Sequence, residues 1–352
     1  MPEATKIDIR AQSLEELRAF FVQRGEKAFR GNQVYEWLWQ KGAHRFEEMT
    51  NLSKALREKL EERFVINHIA VDQMQRSADG TIKNAVKLHD GLVVESVLIP
   101  TETRTTACVS SQVGCSLDCR FCATARLKRM RNLNPDEIYD QVMVIDRQSR
   151  LYFGRPLSNI VFMGMGEPLM NYPNVMKAID RITAEDGLGM SPRRITVSTS
   201  GVPKLIRKMA DQAPRFNLAV SLHSAIEETR SRIMPFNERM PLSELREAIA
   251  YWYDKTRSRV TYEYVVWDGV NDGDADIRAL LDFCRAAPCK VNLIEYNPID
   301  DGMFRQAGES RIQAYVDALE GAGVTVTVRR SRGKDIDAAC GQLANKSTGP
   351  GE

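Results

Sequence analysis

Three cysteines crowd into one short segment: Cys115, Cys119 and Cys122, spaced C-x3-C-x2-C within VGCSLDCRFCAT. Thiolates at this spacing can hold three corners of a cubane iron-sulfur cluster and leave the fourth iron without a protein ligand. Such an iron can bind a small molecule, unlike the iron of electron-transfer clusters, which usually takes four Cys ligands. Zinc is the competing chemistry, but structural zinc takes four ligands grouped in pairs, and no C-x2-C or H-x3-H partner pair follows downstream. Phe121, between the second and third thiol, would shield a cluster from water.

Two further cysteines lie well outside that motif. Cys108 precedes Cys115 by seven residues, and Cys340 sits near the C-terminus in DIDAACGQL. Two buried thiols are the plain alternative, since a free Cys usually packs as a small hydrophobe. Cys284 and Cys289, on either side of Pro288, match no motif and are assigned that structural role.

Composition limits what can surround these residues. Lys and Arg number 49 against 47 Asp and Glu, a net charge of +2, and 43% of the 352 residues are hydrophobic. That is enough apolar material for one large domain with an appendage and excludes global disorder. No apolar run approaches the length a membrane span needs, and charges run through MPEATKIDIRAQSLEELRAF, so neither membrane insertion nor secretion is expected. An odd count of seven Cys in a chain this long points to a reducing cytoplasm and to cysteines used for chemistry. The one local charge bias runs from Thr101 to Arg131, with six basic residues against two acidic.

The elements that must position these residues follow from periodicity. Apolar positions at helical spacing (Leu14, Leu17, Phe20, Phe21; Val34, Trp37, Leu38; Leu52, Leu56, Leu60) predict a helical module over residues 1–68, with Ser53 capping one helix. Residues 69–104 alternate with period two, and Asp79-Gly80 and Asp90-Gly91 mark tight turns, which predicts a small antiparallel connector. From residue 105 to 342, six β-branched runs alternate with helices: TTACVSSQ, NIVFMGMGE, RITVSTSG, FNLAVSLHS, RVTYEYVVWDG and KVNLIEYNP. This is an α/β pattern, a partial TIM-like (β/α)6 barrel, and its C-terminal rim would carry the polar clusters that end the runs. Residues 343–352 read as a disordered tail.

With these residues in view, the chain resembles the radical S-adenosylmethionine superfamily and, within it, the RlmN/Cfr family of RNA methyltransferases. CVSSQVGCSLDCRFCAT, VFMGMGEPL, VSTSG, SLHS, EYNP and DIDAACGQL occur in that family's order, and the likeness runs from the helical module to Cys340. The resemblance implies one 4Fe-4S cluster on Cys115, Cys119 and Cys122, and S-adenosylmethionine held by Gly166, Glu167, Ser198, Ser221, Leu222, His223 and Asn297. It implies two S-adenosylmethionine molecules per turnover. One methylates the Cys340 thiolate; the other, at the open iron, yields a 5′-deoxyadenosyl radical that takes hydrogen from that S-methyl group. The carbon radical adds to adenine, Cys108 resolves the bridge by forming a disulfide with Cys340, and Glu95 accepts the ring proton.

The substrates implied are adenine 2503 of 23S rRNA and adenine 37 of tRNAs, methylated at C2, with Cfr-type methylation at C8 as the rival. A non-catalytic RNA-binding protein with a structural metal is a third reading. The helical module interleaves Arg24, Lys27, Arg30, Lys41 and Arg45 with Phe29, Tyr35, Trp37, Trp39 and Phe46, a composition suited to RNA, although its first 70 residues balance 12 basic against 11 acidic groups. A monomer and a flavodoxin-type electron donor are further implications. One departure from the family pattern is Ala125-Arg-Leu-Lys-Arg-Met130, which lacks the Gly-Phe pair that many members place before Arg-Asn-Leu.

Overall fold

A computed structural model describes residues 6–299 and 302–345. Of the tail assigned to residues 343–352, residues 346–352 lie outside that range, while residues 343–345 are ordered by contacts: Ala344 and Asn345 bond to Glu95 of the connector and the Leu343 carbonyl accepts from Thr124.

The N-terminal module holds three helices, α1 (Leu14–Val22), α2 (Phe29–Glu36) and α3 (Lys54–Arg63), closed by the parallel pairing of β1 (Ile7–Asp8) with β2 (Phe64–Val65). Local chemistry sets the helix starts. Ser13 and Glu16 form a reciprocal capping box at α1, and Ser53 Oγ accepts from Leu56 N at 3.3 Å at α3, as the sequence predicts. Leu17, Phe21, Val34, Leu38, Leu56 and Leu60 face inward. So do Trp39 and Phe46, which removes them from the aromatic set available for stacking on RNA, whereas Phe29 is exposed.

The connector is antiparallel: β3 (Ala70–Arg76), β4 (Ile82–Lys87) and β5 (Val93–Pro100), with Gly80 and Gly91 at positive φ in its turns. It runs straight into the main sheet, because β5 pairs antiparallel with β6 (Thr105–Cys108). From β6 the sheet is parallel through β9 (Asn159–Phe162), β10 (Ile195–Thr199), β11 (Asn217–Ser221), β12 (Val260–Val265) and β13 (Cys289–Ile294). A short antiparallel pair, β7 (Gln112–Val113) with β8 (Arg131–Asn132), brackets the three-cysteine loop.

Helices α4 (Pro135–Phe153), α5 (Tyr172–Thr183), α6 (Pro203–Asp211), α7 (Glu227–Ile233), α8 (Leu242–Thr256), α9 (Asp274–Cys284) and α10 (Glu309–Gly321) make the crossovers. All six expected parallel strands are present in sequential order. A seventh, β14 (Thr325–Arg329), extends them at the edge. Its alternating Thr-Val-Thr-Val is largely exposed, so it lacks the buried apolar run that marks the other strands. With β14 at one edge and β3 at the other, the ten-stranded sheet remains an open, partial barrel.

The helical module docks on α4. Arg10 makes a two-pronged ion pair with Asp140 at 2.6 and 2.7 Å, and Tyr139 Oη donates to the Trp39 carbonyl at 2.7 Å. Burial pushes the neighbouring Asp136 carboxyl up to about 7 despite the opposing field of Arg10.

Candidate active site

All seven parallel strands point their C-terminal ends toward one mouth, where a cavity with about 970 Å³ of space opens to solvent. Its lining includes Cys115, Cys119, Cys122, Gly166, Glu167, Ser198, Ser221, His223, Asn297 and Cys340. The cavity therefore gathers ten of the thirteen residues singled out in the sequence. Leu222, Cys108 and Glu95 stand outside it, for different reasons.

Leu222 is fully buried, and its side chain belongs to the core while its backbone carbonyl accepts from Arg230 Nε at 3.1 Å. It supports the rim and does not line it. Cys108, at the end of β6, lies behind the wall, close enough to Cys340 that a charge on that thiol opposes its own ionisation. Burial is the larger cause and pushes Cys108 up to about 12. Cys340 itself is open to the cavity, but the protein mass around the cavity desolvates its thiol and raises it, against the lowering field of Arg329.

Glu95 is also buried, on β5, and not the surface carboxylate that a generic salt bridge would make it. Its Oε2 accepts from Ala344 N at 2.8 Å and Asn345 N at 3.1 Å, and Lys83 Nζ lies 3.3 Å from Oε1. The same loop is tied to the three-cysteine loop by Ala123 N donating to Gly341 O at 2.7 Å and Thr124 Oγ1 donating to Leu343 O at 2.6 Å. Cys340 is thus held between the Glu95 carboxylate and the cysteine loop.

Close backbone approach explains the glycines. Gly166 has φ +95°, and a Cβ there would meet the Gln112 side chain at 2.5 Å; a Cβ at Gly164 would meet the Val109 carbonyl at 2.7 Å. Gln112 also fixes the next residue, accepting from Glu167 N at 2.8 Å. The Glu167 carboxylate, which the resemblance implies holds S-adenosylmethionine, is engaged by the protein itself. Its oxygens accept from Leu169 N at 3.0 Å and Ser200 N at 2.8 Å, and burial raises its pKa.

His223 adopts a left-handed φ of 56°, and its Nδ1 accepts from Val265 N at 3.1 Å, which leaves the proton on Nε2. Burial, with Arg230 adding to it, pushes this imidazole down to about 3. Asn297 donates to the Cys340 carbonyl at 3.2 Å while its Oδ1 is buried with no hydrogen-bond partner. A buried, unpartnered acceptor on a cavity wall suits a ligand that donates there.

The donor set fits a cluster. Three soft thiols share one cavity with Phe121, whose ring packs on His223 and Trp267. Sequence reasoning missed Arg230, which sits in a helix without a motif. Fully buried, it donates to Ser200 O at 2.6 Å, to Leu222 O and to Asn237, so it clamps two rim loops together.

Fold and site define a radical S-adenosylmethionine protein. Residues 109–284 match the family model described as "Radical SAM superfamily", and residues 7–66 match "Ribosomal RNA large subunit methyltransferase N-terminal domain". A radical SAM methyltransferase from Sphaerobacter thermophilus, known from its crystal structure, superposes with a TM-score of 0.89 at 40% identity, over 96% of this chain and 99% of that one. The "Probable dual-specificity RNA methyltransferase RlmN" of Flavobacterium johnsoniae is 74% identical over 97% of this chain and 98% of its own length. The "Dual-specificity RNA methyltransferase RlmN" of Geotalea uraniireducens is 45% identical over 97% of each. The chain belongs to the RlmN family of radical S-adenosylmethionine RNA methyltransferases.

Proposed function

We propose that this protein methylates C2 of adenine 2503 in 23S rRNA and of adenine 37 in tRNAs, through an S-methyl group carried on Cys340 and two S-adenosylmethionine molecules per turnover. The observation that carries this reading is the arrangement of Cys340. One loop brings it into the cavity of Cys115, Cys119 and Cys122 while its following amides sit on Glu95, with Cys108 behind.

Cys115, Cys119 and Cys122 would hold the cluster, and Gly166, Ser198, Ser221, His223 and Asn297 would hold S-adenosylmethionine against it. When bound, these groups supply hydrogen-atom abstraction from the S-methyl group, which an unreactive sp2 ring carbon requires. Every other step belongs to the chain's own side chains. The Cys340 thiolate displaces a methyl group from a sulfonium, and Arg329 is the cation that favours its ionisation. Glu95, buried beside Lys83, accepts the proton lost from the adenine ring. The Cys108 thiolate then attacks the Cys340 sulfur: the S–S bond forms as the S–CH2 bond to the adenine adduct breaks, the electron pair leaves on the methylene carbon, a proton completes the methyl group, and a reductant must restore the two thiols.

Phe121, Trp267 and neutral His223 form an aromatic wall that keeps water from the cluster side. Among the described residues no helix is long and apolar enough to cross a membrane. A cytoplasmic monomer supplied with electrons by a flavodoxin completes the reading.

The test is an anaerobic reaction of reconstituted protein with S-adenosylmethionine, reductant and 23S rRNA or tRNA, followed by nucleoside mass spectrometry. The expected product is 2-methyladenosine from both RNAs. 8-Methyladenosine would assign the Cfr-type reaction instead, and no methylated adenine with an intact cluster would remove RNA as the substrate.

A further inference from the structure

We infer that Arg330 and Arg332, in the segment between β14 and Cys340, grip the phosphate backbone of the RNA and hold its target nucleotide over Cys340. This inference rests on the RNA reading above and adds a contact surface that lies outside both the helical module and the basic loop before α4.

The run Arg329-Arg330-Ser331-Arg332-Gly333-Lys334 leaves the C-terminal end of β14, so it emerges on the rim where the cavity opens. Glu295 locates it further, because that residue lines the cavity and also a shallow depression shared with Ser77, Arg330 and Lys334. Cys340 follows Arg330 by ten residues on the same loop.

The acidic groups around this run are already engaged. Asp79 accepts from Thr81 N and from Gly333 N at 2.9 Å each, and Asp335 accepts from Ser77 Oγ at 2.5 Å and Ala78 N at 3.1 Å. Glu295 accepts from Ser331 N at 3.0 Å and pairs with Lys334 at 2.6 Å, and Glu263 pairs with Arg329 at 3.4 Å. Those contacts fasten the loop to the β3–β4 turn and consume two of its four cations. Arg330 and Arg332 remain exposed, with no ion pair among the described residues.

Two exposed guanidinium groups on a fastened loop, Arg330 acting on Glu295 through its field and not through a direct ion pair, are suited to phosphate, which each can bind with paired N–H donors. The partner is RNA and not an acidic protein, because the loop that carries the cations also carries the reactive Cys340. An electron donor has to approach Cys115, Cys119 and Cys122, which lie across Cys340 on the other side of the Ala123–Gly341 hydrogen bond.

The experiment measures binding of a fluorescent transcript of the peptidyl-transferase region of 23S rRNA to the full chain at several salt concentrations. The Arg330→Gln/Arg332→Gln double variant is expected to bind at least about tenfold more weakly at 0.1 M salt. Its slope of log affinity against log salt should fall by about 1.5, the share of two phosphate contacts. Arg330→Lys/Arg332→Lys should keep the slope, and Arg193→Gln/Arg194→Gln, at the opposite end of the barrel, should match wild type.

Wild-type affinity in the Arg330→Gln/Arg332→Gln protein would overturn the inference and leave the RNA reading standing. Equal weakening in the Arg193→Gln/Arg194→Gln control would reduce it to net charge and also overturn it. Unchanged RNA binding with slower reduction by flavodoxin would reassign the surface to the electron donor. A wild-type protein that does not bind the transcript would overturn the RNA reading itself.

Discussion

At the C-terminal ends of the parallel strands, five of the seven cysteines gather in or just behind one cavity, whereas Cys284 and Cys289 lie at the opposite end, where α9 passes to β13. At that base the connection is short and satisfies itself. Arg285 N and Ala286 N bond back into the helix, Val260 N takes the Pro288 carbonyl, and the Cys289 thiol donates to the Cys284 carbonyl at 3.7 Å. A separate side-chain contact between the two thiols, in which Cys284 keeps its proton and shares it with Cys289, together with burial, holds the Cys284 thiol far above its ordinary value. At the mouth, by contrast, strands end in Gly and Ser, the loops are long, and Asn297 Oδ1 is left without a partner. The same residue type therefore sits among satisfied backbone groups where a tight turn closes one end of the barrel, and in or behind a cavity where the strands open at the other.

The sharpest break of this contrast is Cys340→Ala, which should bring RNA methylation below detection while iron and sulfide content stays at the wild-type level. Loss of iron would make Cys340 a cluster ligand and dissolve the distinction between the two groups of mouth cysteines. Cys108→Ala should stall later, as a nuclease-sensitive RNA-protein adduct on a denaturing gel. Its absence would leave the thiol behind the cavity wall with only a packing role.

Gly166→Ala tests the cradle, since the new Cβ must move Gln112 and hold a φ of +95°. S-adenosylmethionine affinity, measured by equilibrium dialysis on the reconstituted protein, should fall by about 5- to 150-fold, the equivalent of 1–3 kcal/mol of strain. An unchanged affinity would show the loop to be soft.

His223 gives the pH dependence. Its folded-state pKa of about 3 lies below the 6.5 of a free imidazole, so the unfolded chain takes up a proton that the folded chain refuses. The associated stability is complete above pH 6.5 and is lost as pH falls toward 3, about 2 kcal/mol between pH 6.5 and 5. Urea denaturation at the two pH values should show that loss in wild type and less of it in His223→Asn. The smallest effect belongs to the base of the barrel. Cys284→Ala/Cys289→Ala should leave methylation within about twofold and cost about 1 kcal/mol of stability; a large loss of activity would erase the contrast between the ends.

Much of this arrangement was legible in the residues. The six parallel strands, the turns at Gly80 and Gly91 and the Ser53 cap all follow from local signals, because apolar periodicity, positive-φ glycines and capping hydroxyls act within a few residues. The exposed edge strand β14 and the buried Arg230 were not legible. The first alternates Thr with Val and is mostly exposed, so no continuous buried apolar run marks it, and the second gains its meaning from carbonyls at Ser200 and Leu222 on two different rim loops. Glu167 shows the same limit, since its carboxylate is engaged by amides that no local pattern announces.

By itself, the sequence determined which side chains are present and their spacing: three thiols within eight residues, two more at 108 and 340, and strands that end in Gly, Ser, His and Asn. Only the tertiary structure decided that Ala344 and Asn345 would sit on Glu95, that Cys340 would share a cavity with Cys115, Cys119 and Cys122, and that Asp335 would bond to Ser77. Those relations join residues hundreds of positions apart. They depend on which strands pair and where each loop is tied down, an outcome of long-range packing that spacing along the chain does not encode.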